Sequence, residues 1–343
     1  MSADVGDFGD WRPIAVGALR DALESWRGDL RPLADELVEH LASVLGRGDG
    51  SQIAALTVPL AVFSGLRGIH PPAWLFATAA ATFLAWDVLD DDMDGDPTKF
   101  WRQRSAADRA IGAHLLIATA AGQASLWADP AASRALTRVY LDMVATVTEG
   151  QLRAEIPLDS RTTPQTVAAG IDARSGDMLA GFAEMAAIAA GADAPTRQAA
   201  ARFGRELAVA RQLVNDVTEL ESERTSDLRN RTATMIAAFA LQRTPVDGRD
   251  ALLNRLHSAA TDSDLRHRMI DGELQPALAD TRMLARLHLA EAKRLAYSFA
   301  RHPCGREALE ALLRYTADGL VVGAPAGAGV GAGVSPGPTR ISG

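Results

Sequence analysis

Fourteen consecutive residues, Ala73 to Trp86, carry no charge, and six aspartates crowd the ten positions that follow, in the stretch LAWDVLDDDMDGD from Leu84 to Asp96. So apolar a run belongs inside a helical core. Carboxylates clustered at its end repel one another and lose hydration, so something must offset them. A divalent cation does so directly. On a helix Asp90, Asp91 and Asp94 stand at i, i+1 and i+4, which stacks Asp90 and Asp94 one turn apart, and Asp87 extends the same face one turn back. Carboxylate oxygens in this array suit Mg2+, which keeps several waters and shares its remaining positions with substrate phosphates. The ordinary alternative is a solvated acidic helix end, and the apolar run before it counts against that.

The rest of the chain carries helical spacing as well. Leu19, Leu23, Trp26, Leu30, Leu33, Leu37, Leu41 and Leu45 step by threes and fours, the signature of one apolar stripe. With Pro32 following Gly28, this stretch reads as two helices with a break near Gly28. Further helices are expected near 52–66, 73–92, 104–127, 131–153, 164–191, 195–222, 230–243, 247–260, 263–272, 276–300 and 305–322. Hydrophobic residues make up 48% of the chain but aromatics only 5%, so the apolar content is mostly Ala, Leu and Val, which favours helix over strand. Alternating apolar–polar runs of strand type are missing. The expectation is an all-α fold in one domain over residues 10–322. Residues 1–9 form a flexible N-terminus, and 323–343 form a tail too rich in Gly, Ala and Pro to fold alone.

Several function classes are disfavoured. A net charge of −8 argues against nucleic-acid binding. The single cysteine, Cys304, excludes an internal disulfide framework and reads as an ordinary small residue rather than a catalytic one. The opening MSADVGDFGDWRP is acidic and polar, unlike a secretory signal. The longest charge-free apolar stretches, Ala54–Leu66 and Ala73–Trp86, fall short of the ~20 residues of a spanning helix. No transmembrane segment is expected, and a cytoplasmic protein is.

A second acidic row follows far along the chain, in RQLVNDVTELESERTSDLRN, Arg211 to Asn230. Asn215, Glu219 and Glu223 fall at i, i+4 and i+8, one longitudinal row of a helix, with Asp216 beside it. One amide and two carboxylates on a common face again make an oxygen site for Mg2+. The alternative is an exposed face pairing with Arg211 and Arg224. Two such rows facing each other would clamp a diphosphate through bridging metal ions.

DDDMD resembles the first aspartate-rich motif, DDxxD, of the trans-prenyl diphosphate synthase family, and QLVND stands where that family has Q-x-x-D-D-x-x-D. EGQ (Glu149–Gln151), ARSGDMLAGFAEMAAIAAGAD (Ala173–Asp193), SDLRNRTAT (Ser226–Thr234) and REALEALLRYTADGL (Arg306–Leu320) follow the family's order and spacing. The similarity covers about residues 30–320. It implies an isoprenoid-synthase helical bundle around a central apolar cavity. Asp90, Asp91 and Asp94 would bind magnesium ions on one wall. Asn215, Glu219 and Glu223 would bind another opposite, with Asp216 alongside. Asp90, Asp91, Asp94, Asn215 and Glu219 would be the catalytic set. Arg174 stands where the family usually has Lys and would contact the diphosphate, joined by Arg102 and Arg104 after the first motif and by Arg231. The family's chains also pair with themselves, so a homodimer through the helices near 104–127 and 131–150 is expected. Such an enzyme breaks an allylic C–O bond by stabilising the leaving diphosphate and keeps water from the resulting carbocation.

The departures from the family pattern bear on the substrate. Elongating synthases hold isopentenyl diphosphate with a Gly-Lys-Arg motif. Here GRGDGSQIAALTV has no Lys-Arg pair and places Asp49 in the loop. The Arg-Arg-Gly after the first motif is loosened to WRQRS. The second motif opens with Asn215, similar to the N-D-x-x-S-x-x-x-E motif of terpene cyclases with Glu219 in the Ser position. Arg174 lies 41 residues upstream of Asn215, like the cyclases' diphosphate-sensing Arg, and Arg314-Tyr315 resembles their Arg-Tyr pair. The favoured reading is an enzyme acting on one C15 or C20 allylic diphosphate, either a terpene cyclase or a prenyltransferase with another acceptor. The alternative is a chain-elongating synthase, and the third is a non-catalytic partner subunit.

Overall fold

In the computed structural model the described residues are 11–28, 30–46, 53–93, 104–127, 129–154, 157–222 and 226–320. The helices are α1 (Arg12–Leu23), α2 (Leu30–Leu45), α3 (Ala54–Arg67), α4 (Ala73–Met93), α5 (Ala106–Ala124), α6 (Pro130–Ala154), α7 (Pro164–Ile171), α8 (Asp177–Ala189), α9 (Ala194–Glu221), α10 (Ser226–Asn230), α11 (Met235–Arg243), α12 (Arg249–Ser258), α13 (Ser263–Asp271), α14 (Gln275–Phe299) and α15 (Pro303–Asp318). Among the described residues there is no strand, only an isolated bridge between Pro157 and Thr232. The all-α expectation holds. The expected flexible N-terminus over 1–9 and the tail over 323–343 lie outside the described residues.

The apolar run that opened the argument is α4. From Trp74 to Thr82 every residue is buried. Its two polar residues there are satisfied inside the helix: the Thr78 and Thr82 hydroxyls donate to the carbonyls of Trp74 at 2.8 Å and Thr78 at 2.7 Å, as buried threonines in helices must. The window Ala73–Asp90 is long and apolar enough to cross a membrane by length and composition alone, but two thirds of it is buried within the fold, as in a core helix. α4 packs on α5 and α1. α9 lies between α8 and α14, and α3 touches α4, α8, α9 and α15. One large apolar core runs through α1 to α9 and on to α14 and α15, and a smaller one joins the C-terminal end of α9 to α11, α12, α13 and the start of α14.

The helix boundaries follow the spacing closely, with a break at Gly28, whose φ of +58° is the left-handed conformation that glycine tolerates best. Two expected helices are corrected. The 164–191 stretch is α7 and α8 separated by a π-helical turn, Asp172–Gly176. The 230–243 stretch starts on Asn230, the last residue of the short α10, and breaks at Arg231, which adopts φ +55°. α11 then starts afresh, with Thr234 as N-cap accepting from Ala237 N at 3.3 Å.

Candidate active site

Asp90 lies on the last turns of α4. It is an exposed residue, yet burial pushes its carboxyl above the ordinary aspartate range, with Arg174 and a hydrogen bond from Gln151 opposing the shift and Asp87 adding to it. Gln151 Nε2, from α6, donates to Asp90 Oδ1 over a long 3.4 Å. One turn back, Asp87 Oδ2 is 3.5 Å from His40 Nε2 on α2. Asp91 belongs to α4 by its backbone, but its side chain lies outside the described residues, as do Asp94, Arg102 and Glu223 entirely.

The second row lies near the end of α9. Asn215 is exposed and Glu219 half-buried, so the face read from the i, i+4 spacing is open. Asp216, on the adjacent face, is only 4% exposed. Its carboxylate accepts from Gln212 Nε2 at 3.0 Å and from the backbone N–H of Met235, the first residue of α11, at 3.1 Å. These bonds and the charge of Arg174 hold its pKa down, but burial dominates and pushes it up to about 6. Glu219 Oε1 accepts from the Asp227 backbone N–H at 2.9 Å, so α9 uses both carboxylates to organise the chain that follows. Asp216, Glu219, Asp227 and Thr234 line a recess with about 340 Å³ of empty space, its mouth included. The Arg211 guanidinium, one candidate partner for this face, lies 5.3 Å from the centre of the Tyr315 ring, a cation–π contact; Arg224, the other, lies outside the described residues. Arg314, next to Tyr315, is exposed.

Arg174 connects the two walls. It sits in the π-helical turn, a distortion that recurs at functional sites. The turn is wedged between helices at glycines. A Cβ on Gly150 of α6 would lie 2.8 Å from the Ala173 backbone, and one on Gly204 of α9 would lie 2.3 Å from the Leu179 carbonyl oxygen at the start of α8. The charge of Arg174 lowers the pKa of both Asp90 on α4 and Asp216 on α9, so one guanidinium acts electrostatically on both acidic segments. Its Nε is buried and has no hydrogen-bond partner among the described residues. A buried donor left in this way costs free energy and is what an anionic ligand would satisfy.

Of the other predicted cations, Arg104 and Arg231 have partners elsewhere. Arg104 pairs with Glu36 of α2, and its carbonyl accepts from Arg109. Arg231 is exposed, its Nε 3.4 Å from His257 Nδ1, and its carbonyl accepts from Leu158 N at 2.8 Å. Among the described residues no three His, Cys, Asp or Glu side chains converge closely enough to hold a metal ion. The predicted set draws on Asp91, Asp94 and Glu223 for that. Gln151 and Gln212 carry roles that sequence reasoning had not assigned. The signal was there for Gln212, which lies at i−4 from Asp216, and only in part for Gln151, through the EGQ match.

No family model matches this chain, and no curated protein matches it. Solved structures do. The geranylgeranyl pyrophosphate synthetase from Pyrococcus horikoshii Ot3 superposes with a TM-score of 0.72 at 19% identity, covering 89% of this chain and 95% of its own. A decaprenyl diphosphate synthase from Rhodobacter capsulatus gives 0.72 at 21% over 89% and 95%. A polyprenyl synthase from Caulobacter crescentus CB15, complexed with calcium and isoprenyl diphosphate, gives 0.69 at 21% over 90% and 94%. At such identities the likeness is one of fold. The chain has the helical isoprenyl synthase fold that the motifs implied.

Proposed function

We propose that this chain is a divalent-metal-dependent enzyme that ionises an allylic prenyl diphosphate and transfers the prenyl group. The observation that carries the reading is the position of Arg174, a half-buried cation with a buried, unpartnered Nε, whose charge acts on carboxylates from two separate helices. Asp90, Asp91 and Asp94 form one metal-binding wall, and Asn215, Asp216, Glu219 and Glu223 the other. Arg174 donates to the diphosphate from between them, where its planar fork holds two oxygens. Magnesium, when bound, supplies the charge that stabilises the departing diphosphate. The Ala-, Leu- and Val-rich helices around the recess exclude water from the prenyl cation. A single thiol, Cys304, buried and free, fits a reducing compartment, so cytoplasmic placement is part of the proposal.

For the acceptor, the solved structures with this fold favour the alternative over the reading preferred on motifs. Those proteins are prenyl diphosphate synthases, and chain elongation with isopentenyl diphosphate is the better-supported activity. The one-diphosphate reading keeps two observations of its own: the missing Lys-Arg pair in Gly46–Ser51 and the engagement of Arg104 by Glu36. Purified protein with Mg2+ and C10, C15 or C20 allylic diphosphates, each with and without isopentenyl diphosphate, separates them. Five-carbon extension establishes elongation, whereas diphosphate release from the allylic substrate alone establishes the other. No release from any substrate, or release undiminished by EDTA, refutes the proposal.

A further inference from the structure

Arg205 grips both ends of the π-helical turn. Its Nη1 lies 2.8 Å from Asp172 Oδ1, and its Nη2 bonds to Asp177 Oδ1. Asp172 opens the turn and Asp177 begins α8 directly after it, so one guanidinium spans the four residues Ala173–Gly176 that include Arg174. Burial acts to lower the pKa of Arg205, and the bonds and charges of the two aspartates more than offset it, holding it above the ordinary arginine value. Arg205 also follows Gly204, the residue that lets α9 approach Leu179.

A π-helical turn needs such a restraint. It contains one residue more than an α-helical turn, and its hydrogen bonds run i to i+5, a geometry that isolated chain rarely adopts. Relaxation to regular α-helix would rotate the side chains on one side of the turn by about 100° relative to the other, the angle of one residue at 3.6 per turn. Arg174 would then swing away from one acidic wall or from both. A planar fork bonded to two carboxylates at fixed separation opposes that rotation in a way that a point charge does not.

We propose that Arg205 is a positioning residue, acting through Asp172 and Asp177 to hold the π-turn in the register that aims Arg174 at the diphosphate. This rests on the proposed function. The test measures binding of inorganic pyrophosphate with Mg2+ to the full chain by calorimetry, for the wild type, Arg174→Met, Arg205→Met and the double variant. Arg174→Met should weaken binding by about 10- to 100-fold, the loss of one charge-assisted contact. Arg205→Met should weaken it several-fold by itself and have no further effect in the Arg174→Met background, because residues that act through one another are not additive. A general structural role would weaken binding in both backgrounds alike. Additive losses, or an Arg205→Met variant that binds like the wild type, overturn the positioning role. An Arg174→Met variant that binds like the wild type overturns the diphosphate reading instead. If Arg205→Met does not fold, by circular dichroism, the pair Asp172→Asn and Asp177→Asn removes the same clamp and is held to the same non-additivity with Arg174→Met.

Discussion

Replacing Asp216 by Asn should change how stability depends on pH in the metal-free protein. The carboxyl is 4% exposed, and its pKa is raised from 3.8 to about 6, burial being the main cause. In the unfolded chain it ionises near 3.8, and in the folded chain only near 6. Between these values the folded state holds more protons, so stability falls as pH rises through the window and stays lower above it. At about 1.4 kcal/mol per pKa unit, the loss is on the order of 3 kcal/mol. Asn has the same shape, keeps one oxygen to accept from Gln212 or Met235, and has no charge to bury. Urea unfolding followed by circular dichroism, in EDTA at pH 4, 5, 6 and 7.5, measures the wild-type-minus-variant difference, in which other titrating groups cancel. That difference should move by about 3 kcal/mol in favour of Asp216→Asn across the window. Magnesium should return stability to the wild type above pH 6 more than to the variant, since a metal replaces the proton on an ionised ligand. Parallel profiles for the two proteins would refute the assignment of this cost to Asp216.

Gly204→Ala should be destabilising by roughly 1–3 kcal/mol, as overpacking generally is. Its Cβ would lie 2.3 Å from a backbone carbonyl oxygen that no side-chain rotation can clear, and an unchanged melting temperature in calorimetry would contradict that close approach. The chain is expected to sediment as a homodimer at micromolar concentration. α5 and α6 expose Ile111 and Leu141, at 55% and 51%, and Leu152 at 81%, apolar area that a twin would cover. A monomer in sedimentation equilibrium rejects the pairing.

The regular helices were legible because their signals are local. α9 was expected at 195–222 and runs over Ala194–Glu221. Its start is marked by the capping residue Asp193, whose side chain accepts from Thr196 N, followed by Pro195 in the first turn. The helices that carry Asp90, Asn215 and Glu219 were legible for the same reason, while Asp94 and Glu223 lie outside the described residues. The π-turn was not. It lies in a stretch with continuous apolar spacing, and its restraint, Arg205, is 28 residues from Asp177, so no local pattern marks it. The break at Arg231 was hidden too, because a non-glycine residue occupies the left-handed conformation, and such positions are uncommon enough that nothing in the sequence points to them. Arg174 was reachable only through the family resemblance. In composition it is one arginine among many.

The arrangement of charge also bears on the proposal that a metal and a diphosphate bind together at this site. Arg174 lowers the pKa of both Asp90 and Asp216, yet both remain above their ordinary values. The predicted helpers do not make up the difference, because Arg104 is neutralised by Glu36 and Arg231 lies exposed beside His257. Burial is the main cause of both shifts, so ionising either carboxylate in the folded chain is costly unless a further cation accompanies it. A diphosphate alone would add several negative charges beside these carboxyls and be repelled once they ionise, despite the unpartnered Nε of Arg174. Divalent cations alone would relieve the carboxylates but leave that Nε unsatisfied. Under the proposed function both demands are met at once, with metals against the two acidic rows and phosphate oxygens against Arg174.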